Sequence, residues 1–267
     1  LLPGENLEWA KFVFQVDINR VMFCSIVMQQ TKPAMIQLRF IAFLLLSLYL
    51  TAATPVDFYQ DQLRAPRVAN AIKVHRRTLT DDLNKFGIGP NDVQLLIVAY
   101  KAEQELEVYV RRTSEKRYRR FATFPICASS GMLGPKKRKG DGQVPEGVYH
   151  LDRFNPYSNF HLSLGLNYPN AEDRQRAGRL DPGGDIFIHG SCVTIGCMPM
   201  TDPVIERIYL LAIWSRRNGQ AKIPVYSFPF RMNEANLARY SRLFPEHAVF
   251  WRSLAEKSRD LEQNLLL

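Results

Sequence analysis

Residues 185–202, DIFIHGSCVTIGCMPMTD, run a short apolar core, Ile186 to Ile188, into a histidine and a glycine-rich loop that carries two cysteines. The apolar run reads as a strand, which puts His189 at its carboxyl end, with Cys192 and Cys197 in the loop beyond. A cysteine attacks as thiolate, and a nearby imidazole can draw its proton and hold the anion. Gly190 and Gly196 let the backbone approach a substrate or present N–H groups to a developing oxyanion without a Cβ in the way.

Other chemistries compete on spacing alone. His189, Cys192 and Cys197 could ligate zinc, but a structural site needs four ligands and no second Cys or His pair completes it, so no metal is expected. Cys192 and Cys197 could pair with each other in an exported protein, or either could be an inert buried thiol.

The residues HGSCVTIGC followed by MPMTD and a helix resemble the catalytic signature of the YkuD-type L,D-transpeptidase domain, closest to its YafK-like branch. Further upstream, Lys139-Gly140-Asp141-Gly142-Gln143, then Pro145-Glu146-Gly147-Val148-Tyr149, and FHLSLGLNYPN at 160–170 resemble the turn, strand and YPN loop of that family. The chain departs from the commoner family pattern in having Ile195 where a histidine stands, in Met198-Pro199-Met200 after the cysteine, and in only seven residues between His189 and Cys197. The resemblance implies a cysteine acyltransferase acting on the L,D amide of peptidoglycan peptide stems. In it Cys197 is the nucleophile, chosen over Cys192 by the Thr-x-Gly-Cys pattern, and His189 is the general base. Gly190 would orient the imidazole through its carbonyl, Gly196 and Thr194 would support the turn, and the N–H groups around Gly196 and Cys197 would form the oxyanion hole. Tyr149 and Gly147 would stand on the substrate side, although a strand tyrosine is more often packing.

Two further functional classes stay open: a hydrolase of the same fold, cutting stem or protein-to-peptidoglycan bonds, and an inactive wall-binding module. The expected partners are peptide stems and possibly a wall-attached protein. No cofactor is implied, no nucleic-acid motif is present, and the membrane enters only through a signal segment.

That segment is FIAFLLLSLYL at 40–50, with Arg39 before it and Thr51-Ala52-Ala53 after it, the pattern of a secretory signal and too short for a comfortable membrane span. Met35 is an ordinary start for such a signal, so residues 1–34 read as an over-extended reading frame and 35–53 as the signal peptide of an exported, periplasmic or wall-facing protein, tethered to the inner membrane if uncleaved. The expected mature chain keeps Cys127, Cys192 and Cys197, an odd count that implies a free thiol. A Cys127–Cys192 disulfide would leave Cys197 free, but nothing in the sequence brings those two together.

The net charge is +9 at pH 7, and dropping four basic and three acidic residues with 1–53 leaves +8, so the basicity belongs to the folded part and suits an anionic polymer. Its densest cluster, Lys136 to Lys139, reads as a solvated loop.

The remaining pattern predicts one mainly β domain with peripheral helices, a β-sandwich or barrel-like form, large enough to bury a core without staples. Helical periodicity covers 65–86, ended by Gly87 and Gly89-Pro90. Strands are expected at 93–100, 106–110, 119–127, 147–153, 160–166, 185–189 and 223–230, helices at 234–243 and 249–265. Asp202 and Pro203 open a helix to Arg216-Arg217, with Asp202 as its N-cap. The organisation is thus an N-terminal helical extension over 54–89, a catalytic domain over 90–231 and C-terminal helices over 232–267.

Overall fold

The computed structural model describes residues 57–266; the expected over-extended segment and signal peptide lie outside them. Among the described residues no helix is long and apolar enough to cross a membrane.

The centre of the fold is strand β1, Val93–Tyr100, whose sequence VQLLIVAY is apolar almost throughout. A strand read this way is buried on both faces, and β1 is: Leu95, Ile97 and Ala99 enter one core, while Leu96 and Val98 enter another on the opposite side. Around it a curled sheet of nine strands forms. The hairpin partner β2, Glu105–Arg112, is antiparallel to β1 and to β3, Tyr118–Pro125. On the other side β8, Pro224–Phe228, runs parallel to β1 and antiparallel to β4, Gly147–Asn155. The sheet continues through β5, Ser163–Leu166, and β6, Phe187–His189, to the two-residue β7, Met198–Pro199. Strand β9, Leu265–Leu266, closes the far edge beside β3.

The larger core lies under helix α4, Asp202–Arg217. Ten of its sixteen residues are buried, including Ile208, Leu211 and Trp214, because the helix is covered by β1 on one side and by α1, Phe58–Arg64, and α2, Pro66–Asn84, on another. A helix apolar around most of its circumference needs such double cover. The expected N-cap is corrected here: Thr201 occupies that position without a side-chain bond, and the Asp202 carboxylate instead accepts from Ser191 N at 2.8 Å. Helix α2 packs on α4, and its Arg67 donates to the carbonyls of Ser158 and His161, steadying the loop between β4 and β5.

The second core holds Phe228, Phe230 and Trp251 under α5, Glu234–Leu243, and α6, Ala248–Glu262. Glu146 joins it to the sheet: its carboxylate accepts from Lys101 Nζ at 2.9 Å, Gly134 N at 2.7 Å and Trp251 Nε1 at 2.9 Å. A helix not expected from the sequence, α3 at Ala171–Ala177, begins at a capping box formed by Asn170 and Asp173.

Candidate active site

Strand β6 ends at His189, which pairs with Ser163 of β5 on one side and Pro199 of β7 on the other. The short parallel bridge to β7 brings the chain back alongside β6, so Cys197, one residue before Ile188's partner Met198, returns to the strand that carries the histidine. Cys197 and His189 line one cavity of about 280 Å³ together with Asn155, Ser158, Phe160 and Asp185.

His189 is almost fully buried. Its Nδ1 lies 2.6 Å from the Gly190 carbonyl; a carbonyl only accepts, so Nδ1 carries the proton and Nε2 is left with its lone pair. The Phe160 ring lies over the imidazole with centroids 4.7 Å apart. Burial lowers the His189 pKa from its ordinary value, and the Gly190 carbonyl partly opposes the shift. Gly190 cannot be larger without rearrangement, because a Cβ there would meet Asp202 Oδ1 at 2.6 Å and His161 Cβ at 2.8 Å.

Among the described residues Cys197 is the free cysteine, while Cys127 and Cys192 form a disulfide with Cα atoms 5.4 Å apart. The bridge ties the middle of the histidine-to-cysteine loop to the end of β3, and it removes Cys192 as a rival thiol. Burial raises the Cys197 pKa above its ordinary value; the Phe187 N–H and Lys136 favour the thiolate and Asp185 opposes it, without reversing the direction. Both shifts run toward the neutral forms, a thiol and a neutral imidazole. A pair of that kind would form a nucleophile by proton transfer during attack, without a stored ion pair.

The cysteine turn is held by hydroxyls. Thr194 Oγ1 accepts from Cys197 N at 2.8 Å and donates to the Cys197 carbonyl at 2.9 Å. Gly196 has φ +99°, and a Cβ would meet the Gln143 carbonyl at 3.0 Å; its N–H donates to Ser130 Oγ at 2.7 Å. The expected oxyanion donors, Gly196 N and Cys197 N, are therefore both bonded inside the protein. The two residues expected on the substrate side lie within the packing. Tyr149 is buried, its hydroxyl bonded to Asp173 at 3.1 Å, and Gly147 lies against that hydroxyl, which a Cβ would meet at 2.8 Å. Neither lines a cavity beside Cys197.

A second cavity, of about 250 Å³, opens on the other side of Cys197, between the end of β1 and the loop after β3. Ala99, Lys101, Ser130, Met132 and Val144 are among its walls. Lys101 donates to the Gly134 and Val144 carbonyls and to Glu146, so its ammonium is spent on the framework. The basic cluster behaves unlike a solvated loop at its first member: Lys136 is buried on Asp141 at 2.6 Å, and Asp141 also accepts from the N–H groups of Lys137, Arg138 and Gln143. Among the described residues no cluster of His, Cys, Asp and Glu is arranged to hold a metal ion.

Ser130, Asp185 and Phe160 were not singled out in the sequence. Ser130 lies 66 positions from the glycine it binds, and no local pattern announces a contact at that range.

A cysteine at the edge of a curled mixed sheet, sharing one cavity with a strand-end histidine and lining a second, defines a candidate thiol acyl-transfer site. Residues 94–212 match the family model described as the L,D-transpeptidase catalytic domain, YkuD. The Escherichia coli (strain K12) protein named "Putative L,D-transpeptidase YafK" is 35% identical over 160 residues, 59% of this chain and 62% of that one. The chain thus spans less than two thirds of that relative's length. Among solved structures, the helical cell shape determining protein Pgp2 from Campylobacter jejuni aligns at 23% identity and TM-score 0.40, covering 53% of this chain and 49% of that one. L,D-transpeptidase 1 of Mycobacterium tuberculosis aligns at 15% identity and TM-score 0.28, covering 51% and 62%.

Proposed function

We propose that this protein is a peptidoglycan-modifying cysteine acyltransferase that attacks the L,D amide of a peptide stem. The observation that carries the reading is the position of Cys197 at the junction of two cavities, one shared with His189. One cavity can hold the acyl donor while the other admits the acceptor, as transfer between two chains requires.

In this reading catalysis runs in two steps. As Cys197 Sγ adds to the stem carbonyl, the thiol proton passes to His189 Nε2, and the carbonyl π pair moves onto oxygen. Collapse breaks the C–N bond, His189 returns the proton to the leaving amine, and a thioester remains on Cys197. An acceptor amine, deprotonated by His189, then displaces the thiol. The Gly190 carbonyl holds the imidazole in the tautomer this needs. The Cys127–Cys192 disulfide supports a site of action in an oxidising compartment, the periplasm or the wall-facing side of the membrane.

The test is product analysis of tetrapeptide-stem muropeptides incubated with the full chain in ¹⁸O-labelled water. Release of the terminal D-amino acid with formation of a new amide supports transfer. Release with ¹⁸O in the stem carboxylate replaces it by the hydrolase reading. A protein that binds stems and leaves every bond intact replaces both by a wall-binding role.

A further inference from the structure

The two N–H groups nearest the thiol in sequence are both occupied, and their partners differ in kind. Thr194 Oγ1 closes on the N–H and the carbonyl of Cys197 itself, a ring internal to the turn. Ser130 Oγ reaches Gly196 N at 2.7 Å from a separate loop and donates its own proton to the Gly142 carbonyl at 2.9 Å. Ser130 also forms part of the wall of the 250 Å³ cavity that Cys197 opens into. A carbonyl oxygen in that cavity therefore meets Ser130, the residue whose hydroxyl accepts from the Gly196 N–H. A serine hydroxyl turns about one bond, so it can give up one acceptor position without moving the backbone.

We infer that Ser130 is a positioning residue for the oxyanion: it holds the Gly196 N–H aimed at the cavity in the resting enzyme, and the carbonyl oxygen replaces Ser130 Oγ as its acceptor when Cys197 attacks. The N–H is thereby aligned before charge develops on the oxygen, which is when a fixed donor contributes most. The inference rests on the reading of Cys197 as nucleophile toward a carbonyl, and is independent of which carbonyl compound is the natural substrate.

Two probes of the full chain separate the effects. Acetylation of Cys197 by p-nitrophenyl acetate passes through an oxyanion; alkylation by iodoacetamide forms none. Rates of modification at Cys197 with both probes, read by peptide mapping so that Cys24 of the full chain is counted apart, are compared for wild type, Ser130→Ala and Ser130→Thr, with thermal melting as a check on folding. Ser130→Ala is expected to lower the ratio of acetylation to alkylation by roughly tenfold to a hundredfold, and Ser130→Thr, which keeps the hydroxyl, to restore most of it. Should Ser130→Ala fail to fold, Ser130→Cys, with its weaker acceptor, is expected to lower the ratio by a smaller factor. A ratio unchanged in the variant that folds, or two rates that fall together, overturns the inference and leaves Ser130 a structural contact. Cys197 inert to both probes overturns it together with the nucleophile. If the ratio behaves as expected while stems stay intact, only the substrate reading fails.

Discussion

The two halves of the candidate site are held by different forces. His189 ends a strand between two neighbours, is almost wholly buried, and sits beneath a helix whose first carboxylate binds the next loop. Cys197 follows a turn with Ile195 85% exposed and Val193 58% exposed, fixed by two hydroxyls and a disulfide. The base inherits its position from the sheet, whereas the thiol depends on a few discrete bonds. Changes near the histidine should therefore cost stability, and changes near the cysteine, its disulfide apart, should cost rate.

The sharpest break in that comparison is Cys197→Ser, expected to lower stem turnover by at least about a thousandfold, as loss of a nucleophile does, with circular dichroism and melting little changed. Next in size is the sheet side. Gly190→Ala forces a Cβ against Asp202 and His161 and should destabilise by about 1–3 kcal/mol in denaturant titration. Removing the disulfide as a Cys127→Ala, Cys192→Ala pair is expected to cost about 2–4 kcal/mol. A smaller effect on rate is expected from Thr194→Val, which leaves Cys197 N without its acceptor: a fall of about fivefold in turnover, for a net hydrogen bond of about 1 kcal/mol, at nearly unchanged stability.

The subtlest test is pH. With the thiol raised and the imidazole lowered, iodoacetamide alkylation of Cys197 should keep rising beyond pH 9 and show no plateau near neutrality. Stem turnover should hold as pH falls until His189 protonates, below the ordinary histidine value of about 6.5. A plateau of alkylation near pH 6 would instead mark a stored thiolate–imidazolium pair.

Legibility in the sequence follows the same division. Strand β1 and helix α4 were readable because burial imposes unbroken apolar runs, and β6 because Phe187 and Ile188 lead straight to His189. The expected strand over 160–166 begins only at Ser163, since His161 adopts φ +65° to bring its imidazole onto Glu206 at 2.8 Å. Helix α3 was passed over although Asn170 and Asp173 spell its capping box, because seven residues carry too little periodicity to stand out. Of the turn's partners, the Cys127–Cys192 bridge was reachable only by counting cysteines, and Ser130 not at all. Cys127 is 65 positions from Cys192, and a contact at that range is fixed by how the β3 end meets the sheet edge, which no local pattern encodes. Tyr149 misled in the opposite direction: its place in a family-like motif suggested substrate contact, while burial and its bond to Asp173 make it part of the packing.

The most direct test of the account is to trap the acyl-enzyme on tetrapeptide-stem muropeptides by rapid acid quench and locate the adduct by peptide mapping under non-reducing conditions. The account predicts a stem acyl group on Cys197, with Cys127 and Cys192 still joined. An adduct on Cys192, or a Cys197→Ser protein that still turns over stems, would contradict it.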